Sequence, residues 1–282
     1  MKRKKTGFTM VEILTVVGII AILVAVLIPT LTMVRRIAKE TQQKAQLTTI
    51  DLAMMAFKGD YGDYPPSDNY DYDYCGAQKL AEALLGWDLL GFHPDSEWNA
   101  GGKDDSDNEI YPDPLDITNL EHIANLEARR GPYVELATAN GFTLRQLFGD
   151  GIPTMLVLDR FVICDVFGIK RVTLANSETV KAGTPILYYR ANTSSKKIIG
   201  GRSNTRIYNM DDNYDLIDLK SFADETDDRL LEYDGEFFYS YAYKIIDPKV
   251  TAIPWPYRPD SYILISAGAD GLYGTSDDIC NF

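Results

Sequence analysis

The stretch MKRKKTGFTMVEILTVVGIIAILVAVLIPTL (residues 1–31) decides the fold class, because a basic start leads into a long apolar run. Residues 8–28 supply 21 mostly apolar positions, and a helix of about 20 such residues spans a bilayer. Four of the first five residues are Lys or Arg, which the positive-inside rule places on the cytoplasmic side. The stretch therefore predicts a single transmembrane helix with its N-terminus in the cytoplasm.

Glu12 lies within this apolar run, where a carboxylate is costly because hydrocarbon cannot solvate it. A secretory signal peptide is not indicated, since no small-residue cleavage site follows the apolar core. A plain membrane anchor does not explain the charge either. An ionisable residue inside a membrane segment normally has a functional partner, and the alternative is a charge tolerated at the membrane interface.

The charge of the chain is unevenly distributed. Residues 1–40 hold seven Lys or Arg and two acidic residues, which gives this segment a net charge of +5. The whole chain has a formal net charge of −13, so residues 41–282 carry −18. An acidic body argues against nucleic acid as a partner, because phosphate binding needs a basic face. It fits an extracytoplasmic domain that meets divalent cations.

Three cysteines are present, Cys75, Cys164 and Cys280. An odd count allows at most one internal disulfide. An oxidising compartment would permit that bridge, but the residues do not choose the pair, and three unpaired thiols are the alternative.

The helical pattern continues beyond the apolar run to about residue 58. Leu47, Ile50, Met54 and Phe57 are spaced by three, four and three positions, which predicts one helix face buried against a globular body. Pro29 inside this helix removes a backbone hydrogen bond.

Shorter elements are predicted after the long helix. Helical patterns cover 77–85, 117–129, 143–148 and about 216–223, and residues 92–116 indicate a long acidic loop. Apolar and β-branched runs predict strands at 154–158, 160–165, 170–175, 185–191, 237–246 and 261–266. The expected fold class is α+β, with a long N-terminal transmembrane and amphipathic helix packed on an antiparallel β-sheet domain.

Residues 4–29, KKTGFTMVEILTVVGIIAILVAVLIP, resemble the N-terminus of the type IV pilin and type II secretion pseudopilin superfamily. The resemblance implies that a prepilin peptidase cleaves between Gly7 and Phe8 and N-methylates Phe8. Glu12 and Pro29 then occupy the fifth and twenty-second positions of the mature chain, where the family has a glutamate and a proline. It also implies that Glu12 pairs with the N-terminal amine of a neighbouring subunit, and that Gly18 and Pro29 allow the helix to melt locally on assembly.

Two further stretches, LAMMAFKGDYGDYPPS (52–67) and SYILISAGADGLYGTSDDICNF (261–282), resemble the major (G-type) pseudopilin subfamily. The resemblance covers about residues 1–90 and 235–282, so about 92–235 is interpreted as a large insertion. The expected organisation is a cleaved leader (1–7), a long helix (8–58) whose first part (8–28) spans the membrane, and a periplasmic α+β domain (59–282).

The subfamily resemblance implies a Ca²⁺ site in the closing loop GADGLYGTSDDI. Its ligands would be Asp270 with Asp277 or Asp278, together with the backbone carbonyls of Ala267 and Tyr273. Ca²⁺ takes about six to eight oxygen ligands, and a glycine-rich acidic loop can supply them. From the residues alone, a solvated acidic turn is the alternative.

No catalytic residues are predicted, because the histidines and cysteines lack the spacing of known catalytic or zinc motifs. The resemblance implies a structural subunit of a periplasmic pseudopilus. Its partners would be like pseudopilin subunits, the prepilin peptidase and the inner-membrane secretion assembly. The alternatives are a minor, tip-located pseudopilin, a type IV pilin for adhesion, motility or DNA uptake, or a membrane-anchored periplasmic binding protein or hydrolase that acts through residues 92–235.

Overall fold

The computed structural model describes residues 7, 9–70, 72–104, 106, 108–112, 120–152, 154–174, 176–198, 205–219, 238–239 and 245–282. The chain divides into two units, Met1–Thr41 and Gln42–Phe282. The helices are α1 (Met10–Tyr61), α2 (Gly76–Leu85), α3 (Leu120–Ala128), α4 (Leu136–Ala139), α5 (Leu144–Phe148) and α6 (Tyr214–Asp218), with a 3₁₀ turn at Met210–Asn213. The strands are β1 (Gly141–Thr143), β2 (Phe161–Ile163), β3 (Lys170–Thr173), β4 (Thr179–Ala182), β5 (Leu187–Arg190), β6 (Tyr262–Ser266) and β7 (Ile279–Cys280).

The long predicted helix is confirmed as α1, which contains Pro29 in its interior. Its apolar side chains between Met10 and Ile37 are exposed. Among the described residues, α1 is the one helix that is long and apolar enough to cross a membrane, judged by length and composition. This exposed apolar surface is what a lipid environment or neighbouring helices would cover.

The later turns of α1 bury one face, as the spacing predicted. Leu47, Ile50, Met54 and Phe57 are at most 2% exposed. The first three share a buried cluster with residues of α2 and of strands β5 and β6. Each fully buried side chain of this size contributes about 1.5–3 kcal/mol, so this face holds the helix against the domain.

Two glutamines add specific polar contacts between α1 and the domain. Gln46 Nε2 donates to the carbonyl oxygens of Ala139 and Cys164, at 3.0 and 2.9 Å. Gln43 Oε1 accepts a hydrogen bond from the amide of Val166 at 2.9 Å. Both glutamines are buried. They bond to backbone groups of the domain, and buried backbone groups are normally paired in this way.

In the described part of the chain the strands form three small antiparallel sheets, β1–β2, β3–β4 and β5–β6–β7, so the fold is α+β with a long N-terminal helix. In the largest sheet, Leu187 pairs with Ile265 and Arg190 with Tyr262. β6 is buried at all five positions. β5 lies within residues 92–235, the segment interpreted above as an insertion. This segment therefore supplies one strand of the sheet in which β6 is the central strand.

Several predicted elements differ from the structure. The strand predicted at 154–158 is wrong, because Met155 is exposed and the amide of Val157 bonds to the carbonyl of Asp73 in a loop instead of to a strand. The strand predicted at 237–246 lies mostly outside the described residues, and Phe238 and Tyr239, which are described, are not in a strand. The helix predicted to begin near residue 216 starts instead at Tyr214.

Candidate functional sites

The first candidate site is the N-terminus of α1, where Thr9 and Glu12 cap the helix reciprocally. The Glu12 carboxylate accepts hydrogen bonds from the Thr9 amide at 2.8 Å and from the Thr9 hydroxyl at 2.7 Å. The Glu12 amide in turn donates to the Thr9 hydroxyl at 3.3 Å. This is a capping box, in which two amides that lack helical partners are satisfied. Glu12 is therefore hydrogen-bonded within its own chain.

The other N-terminal positions surround this cap. Gly7 is exposed and lies outside the helix, and Phe8 lies outside the described residues. Gly18 and Pro29 are exposed positions within α1, and a methyl group added at Gly18 would meet no atom within 4 Å. The glycine at position 18 is therefore not required by packing inside this chain.

The second candidate site is the closing loop, which Asp277 holds together. Asp277 Oδ2 accepts hydrogen bonds from the amides of Ala269 and Asp270, at 2.7 and 3.1 Å. Gly268 has a φ of +72°, and a Cβ there would lie 2.4 Å from the backbone oxygen of Asp277. The loop thus needs a glycine at this position, both for its left-handed backbone and for the close approach.

Asp278 lies deeper in the same loop. Its Oδ2 accepts a hydrogen bond from the amide of Gly274 at 2.8 Å. Its Oδ1 is buried and has no hydrogen-bond partner among the described residues. Burial raises the pKa of Asp278 to about 7. A buried carboxylate oxygen without a partner is costly, and a bound cation would offset that cost.

The remaining predicted loop ligands are placed differently. Ala267 is fully buried, Asp270 Oδ1 accepts a hydrogen bond from the amide of Leu272 at 2.9 Å, and the Tyr273 hydroxyl donates to the carbonyl of Pro185. Within the described part of the chain, no three or more His, Cys, Asp or Glu side chains are grouped so that they could hold a metal. A cation in this loop would therefore depend on backbone carbonyls for much of its coordination.

His93 is buried and lies beside Asp95. His93 Nδ1 accepts a hydrogen bond from the amide of Asp95 at 3.2 Å, and burial lowers the pKa of His93. All three cysteines are described and none is in a disulfide.

Comparison with known families gives a match at the N-terminus. Residues 2–28 match the family described as the prokaryotic N-terminal methylation motif. This chain carries that motif. The motif points to a type IV pilin-like or pseudopilin protein that a prepilin peptidase processes and that assembles in the manner of a pilus. The comparison with curated proteins gave no match, and neither did the comparison with solved structures.

Thr9 is a residue of the motif region to which sequence reasoning assigned no role. Its contribution could have been found from the spacing, because Thr followed three positions later by Glu at the start of an apolar run is the signature of a capping box. The motif-bearing segment thus has a helix start fixed by its own side chains.

Proposed function

We propose that this chain is a structural subunit of a type II secretion pseudopilus. The observation that carries the proposal is the methylation motif at residues 2–28, which overlaps a helix whose apolar side chains are exposed. The D-x-G-x-Y-P and S-x-G-x-D-G stretches quoted above favour the major pseudopilin subfamily over other members of the superfamily.

Processing would occur between Gly7 and Phe8 and would leave a methylated amine on Phe8. That new amine lies four residues before Glu12 in sequence. An ammonium and a carboxylate are each costly in lipid alone and offset one another as a pair. Glu12 of one subunit would therefore neutralise the amine of the next, and Gly18 and Pro29 would let the helix adjust as it packs.

A second feature supports assembly through α1. Thr48, Leu52 and Met55 lie on the side of the helix that does not face the domain, and all three are exposed. At the same spacing of three and four positions they follow a stripe of mostly small and apolar residues, which consists of Leu31, Val34, Ala38, Thr41 and Ala45. Neighbouring subunits, each contributing the same helix, would bury this stripe in the filament.

The proposed place of action follows from the helix. The subunit would enter the inner membrane as a single span with its N-terminus in the cytoplasm, then join like subunits in a periplasmic pseudopilus through the inner-membrane secretion assembly. The exposed apolar turns of α1 support membrane insertion before assembly.

We also propose that Ca²⁺ stabilises the closing loop. Asp270 with Asp277 or Asp278, and the carbonyls of Ala267 and Tyr273, would supply oxygen ligands. The unpartnered, buried Oδ1 of Asp278 supports the proposal, because it is an oxygen that a cation would satisfy.

Mass spectrometry after coexpression with a prepilin peptidase tests the processing step. We expect loss of residues 1–7 and the mass of one added methyl group on Phe8. In cells that lack the natural subunit, Glu12→Ala should be processed but should fail to enter filaments, while wild type restores them. Normal filament incorporation of Glu12→Ala would contradict the role assigned to the carboxylate.

Thermal melts of the full chain in detergent test calcium. We expect added Ca²⁺ to raise the melting temperature and a chelator to lower it, with Asp270→Asn abolishing the difference. An unchanged melt in both conditions would refute the calcium proposal and leave the assembly proposal standing. Neighbouring genes for a secretion ATPase and an outer-membrane secretin would favour secretion over a type IV pilus.

A further inference from the structure

A polar cavity of about 550 Å³ lies within the unit Gln42–Phe282. Its described lining comes from three segments that are far apart in sequence: residues 66–70 and 72, residues 190–194, and residues 206, 207, 209, 211 and 212. Small-ligand sites typically have volumes of about 300–1,000 Å³. The cavity is therefore large enough for two or more sugar-sized units, and it involves none of the residues assigned to processing, assembly or calcium.

The floor of the cavity is built from groups that are hydrogen-bonded to one another, and of these the side chains of Ser67 and Asp212 are buried. Ser67, which is 3% exposed, accepts a hydrogen bond from the amide of Arg190 at 2.9 Å and donates to Asp212 Oδ2. Asn209 Nδ2 donates to the other oxygen of Asp212 at 2.6 Å. All three lining segments thus meet at one hydrogen-bonded cluster. A preformed floor lowers the entropic cost of binding a ligand.

Two tyrosine rings stand at the edge of the cavity instead of in the core. Tyr70 is 75% exposed and Tyr72 is 56% exposed. Tyr72 also has a φ of +60°, a left-handed conformation that is rare for a large side chain. Such strain is characteristically found at ligand-binding positions. The two rings offer flat apolar faces next to polar groups.

The polar groups that face the cavity include both donors and acceptors. Arg206 lines the cavity and carries several N–H donors, and Asp211 lines it with an exposed carboxylate. A hydroxyl group can accept from the first and donate to the second. Polyhydroxylated ligands satisfy such mixed sites at several points.

The charge of the described lining argues against a strongly acidic ligand. Arg190 and Arg206 are accompanied by three aspartates, Asp68, Asp211 and Asp212. Arg190 is already paired with Asp63. Sites that select phosphate or carboxylate present unpaired arginines in excess.

We infer that this cavity binds a neutral oligosaccharide, with the sugar faces stacked on Tyr70 and Tyr72 and hydroxyl groups bonded to Arg206 and Asp211. The inference does not depend on the proposed role in secretion, since a filament subunit and an anchored binding protein could each present such a site.

A glycan array that carries neutral, acidic and aminated oligosaccharides tests the inference, with the full chain held in a detergent that lacks a sugar headgroup. Isothermal titration calorimetry then measures affinity for a neutral oligosaccharide selected on the array. We expect Tyr70→Ala and Tyr72→Gly each to weaken binding by about tenfold, because each removes one stacking face. Arg206→Gln should weaken binding as well.

Ile253→Ala is the matched control, since Ile253 is 58% exposed and does not line the cavity. Its affinity should equal that of wild type, and circular dichroism melts should show that all variants fold. No binding to any neutral glycan would overturn the inference. Binding that survives Tyr70→Ala and Tyr72→Gly would also overturn it, as would selective binding of acidic glycans or inorganic phosphate that only Arg206→Gln removes.

Discussion

Asn281 Nδ2 donates a hydrogen bond to Asp51 Oδ1 at 2.9 Å, and so joins residue 281 to the long helix α1. The same Asp51 oxygen accepts from the Tyr262 hydroxyl at 2.7 Å. Asn281 Oδ1 accepts from the amide of Leu264 at 2.9 Å. One asparagine therefore connects α1 with the central strand β6.

Replacement of this asparagine should destabilise the domain. Asn281→Ala removes both hydrogen bonds and leaves the amide of Leu264 without its acceptor, so we expect a loss of about 1–3 kcal/mol. Chemical unfolding of the full chain in detergent measures the effect. Thr251→Ala, at an exposed position, should change stability by far less. Equal stability of the two variants would show that the Asn281 contacts contribute nothing measurable.

The buried carboxyl of Asp212 predicts a specific pH dependence. Burial raises the pKa of Asp212 to about 7, so between about pH 4 and pH 7 the folded chain holds a proton that the unfolded chain has released. The free energy of unfolding should therefore fall as pH rises through this interval, by on the order of a few kcal/mol, and level off above it.

Asp212→Asn should remove that part of the pH dependence, since an amide does not titrate and its oxygen can still accept a hydrogen bond from Ser67 or Asn209. Unfolding free energies measured from pH 4 to pH 8 check this. Asp218→Asn, at an exposed position, is the control and should retain the wild-type slope. A slope unaltered by Asp212→Asn would mean that Asp212 does not titrate over this range, since the remaining slope would come from other groups such as Asp278.

Two glycines should respond to alanine in opposite directions. At Gly268 a methyl group would meet the Asp277 backbone and occupy a left-handed φ, so Gly268→Ala should destabilise by about 1–3 kcal/mol. At Gly59, inside α1, a methyl group meets no atom within 4 Å. Gly59→Ala should therefore stabilise by about 0.4–1 kcal/mol. Thermal melts of both variants test this prediction. A shift of the melting temperature in the same direction for both variants would contradict it.

The capping box at the start of α1 can be tested without reference to assembly. Thr9→Val keeps the shape of the side chain but removes the hydroxyl, which should cost about 0.5–2 kcal/mol of local helix stability. Hydrogen exchange at residues 10–13 in micelles should become faster. Thr9→Ser, which keeps the hydroxyl, should exchange like wild type. An unchanged exchange rate in Thr9→Val would mean that the capping box does not stabilise the N-terminus of α1.

The helices were largely predictable because their signals are local. The apolar run, the breakers after residue 58 and the spacing of Leu47 through Phe57 lie within one continuous stretch, and α1 ends close to its predicted limit. α2 and α5 likewise begin and end within one residue of the predicted bounds.

The sheet was less predictable because strand pairing is decided between distant residues. Leu187 pairs with Ile265, and β7 is only two residues long. β4 has the sequence TVKA, which carries too few apolar positions for alternation to identify it. Such strands exist because a partner satisfies their backbone groups, which no local pattern reports.

The candidate sites also differ in how far they could be predicted from the sequence. The residues of the N-terminal motif and the acidic closing loop are contiguous, so their positions follow from sequence, but the burial of Asp278 depends on what packs around it. The cavity could not be predicted, since Ser67, Arg190 and Asp212 meet only after folding.

The unequal burial of the three cysteines gives the molecule a built-in reporter of its own unfolding. Cys280 is half-buried, whereas Cys75 and Cys164 are fully buried. Burial raises the pKa of the Cys75 thiol to about 12, and the thiolate is the form that reacts with alkylating reagents. A maleimide pulse should therefore modify Cys280 first and reach Cys75 and Cys164 only when the core opens, so that modification of these two thiols reports the fraction of open molecules.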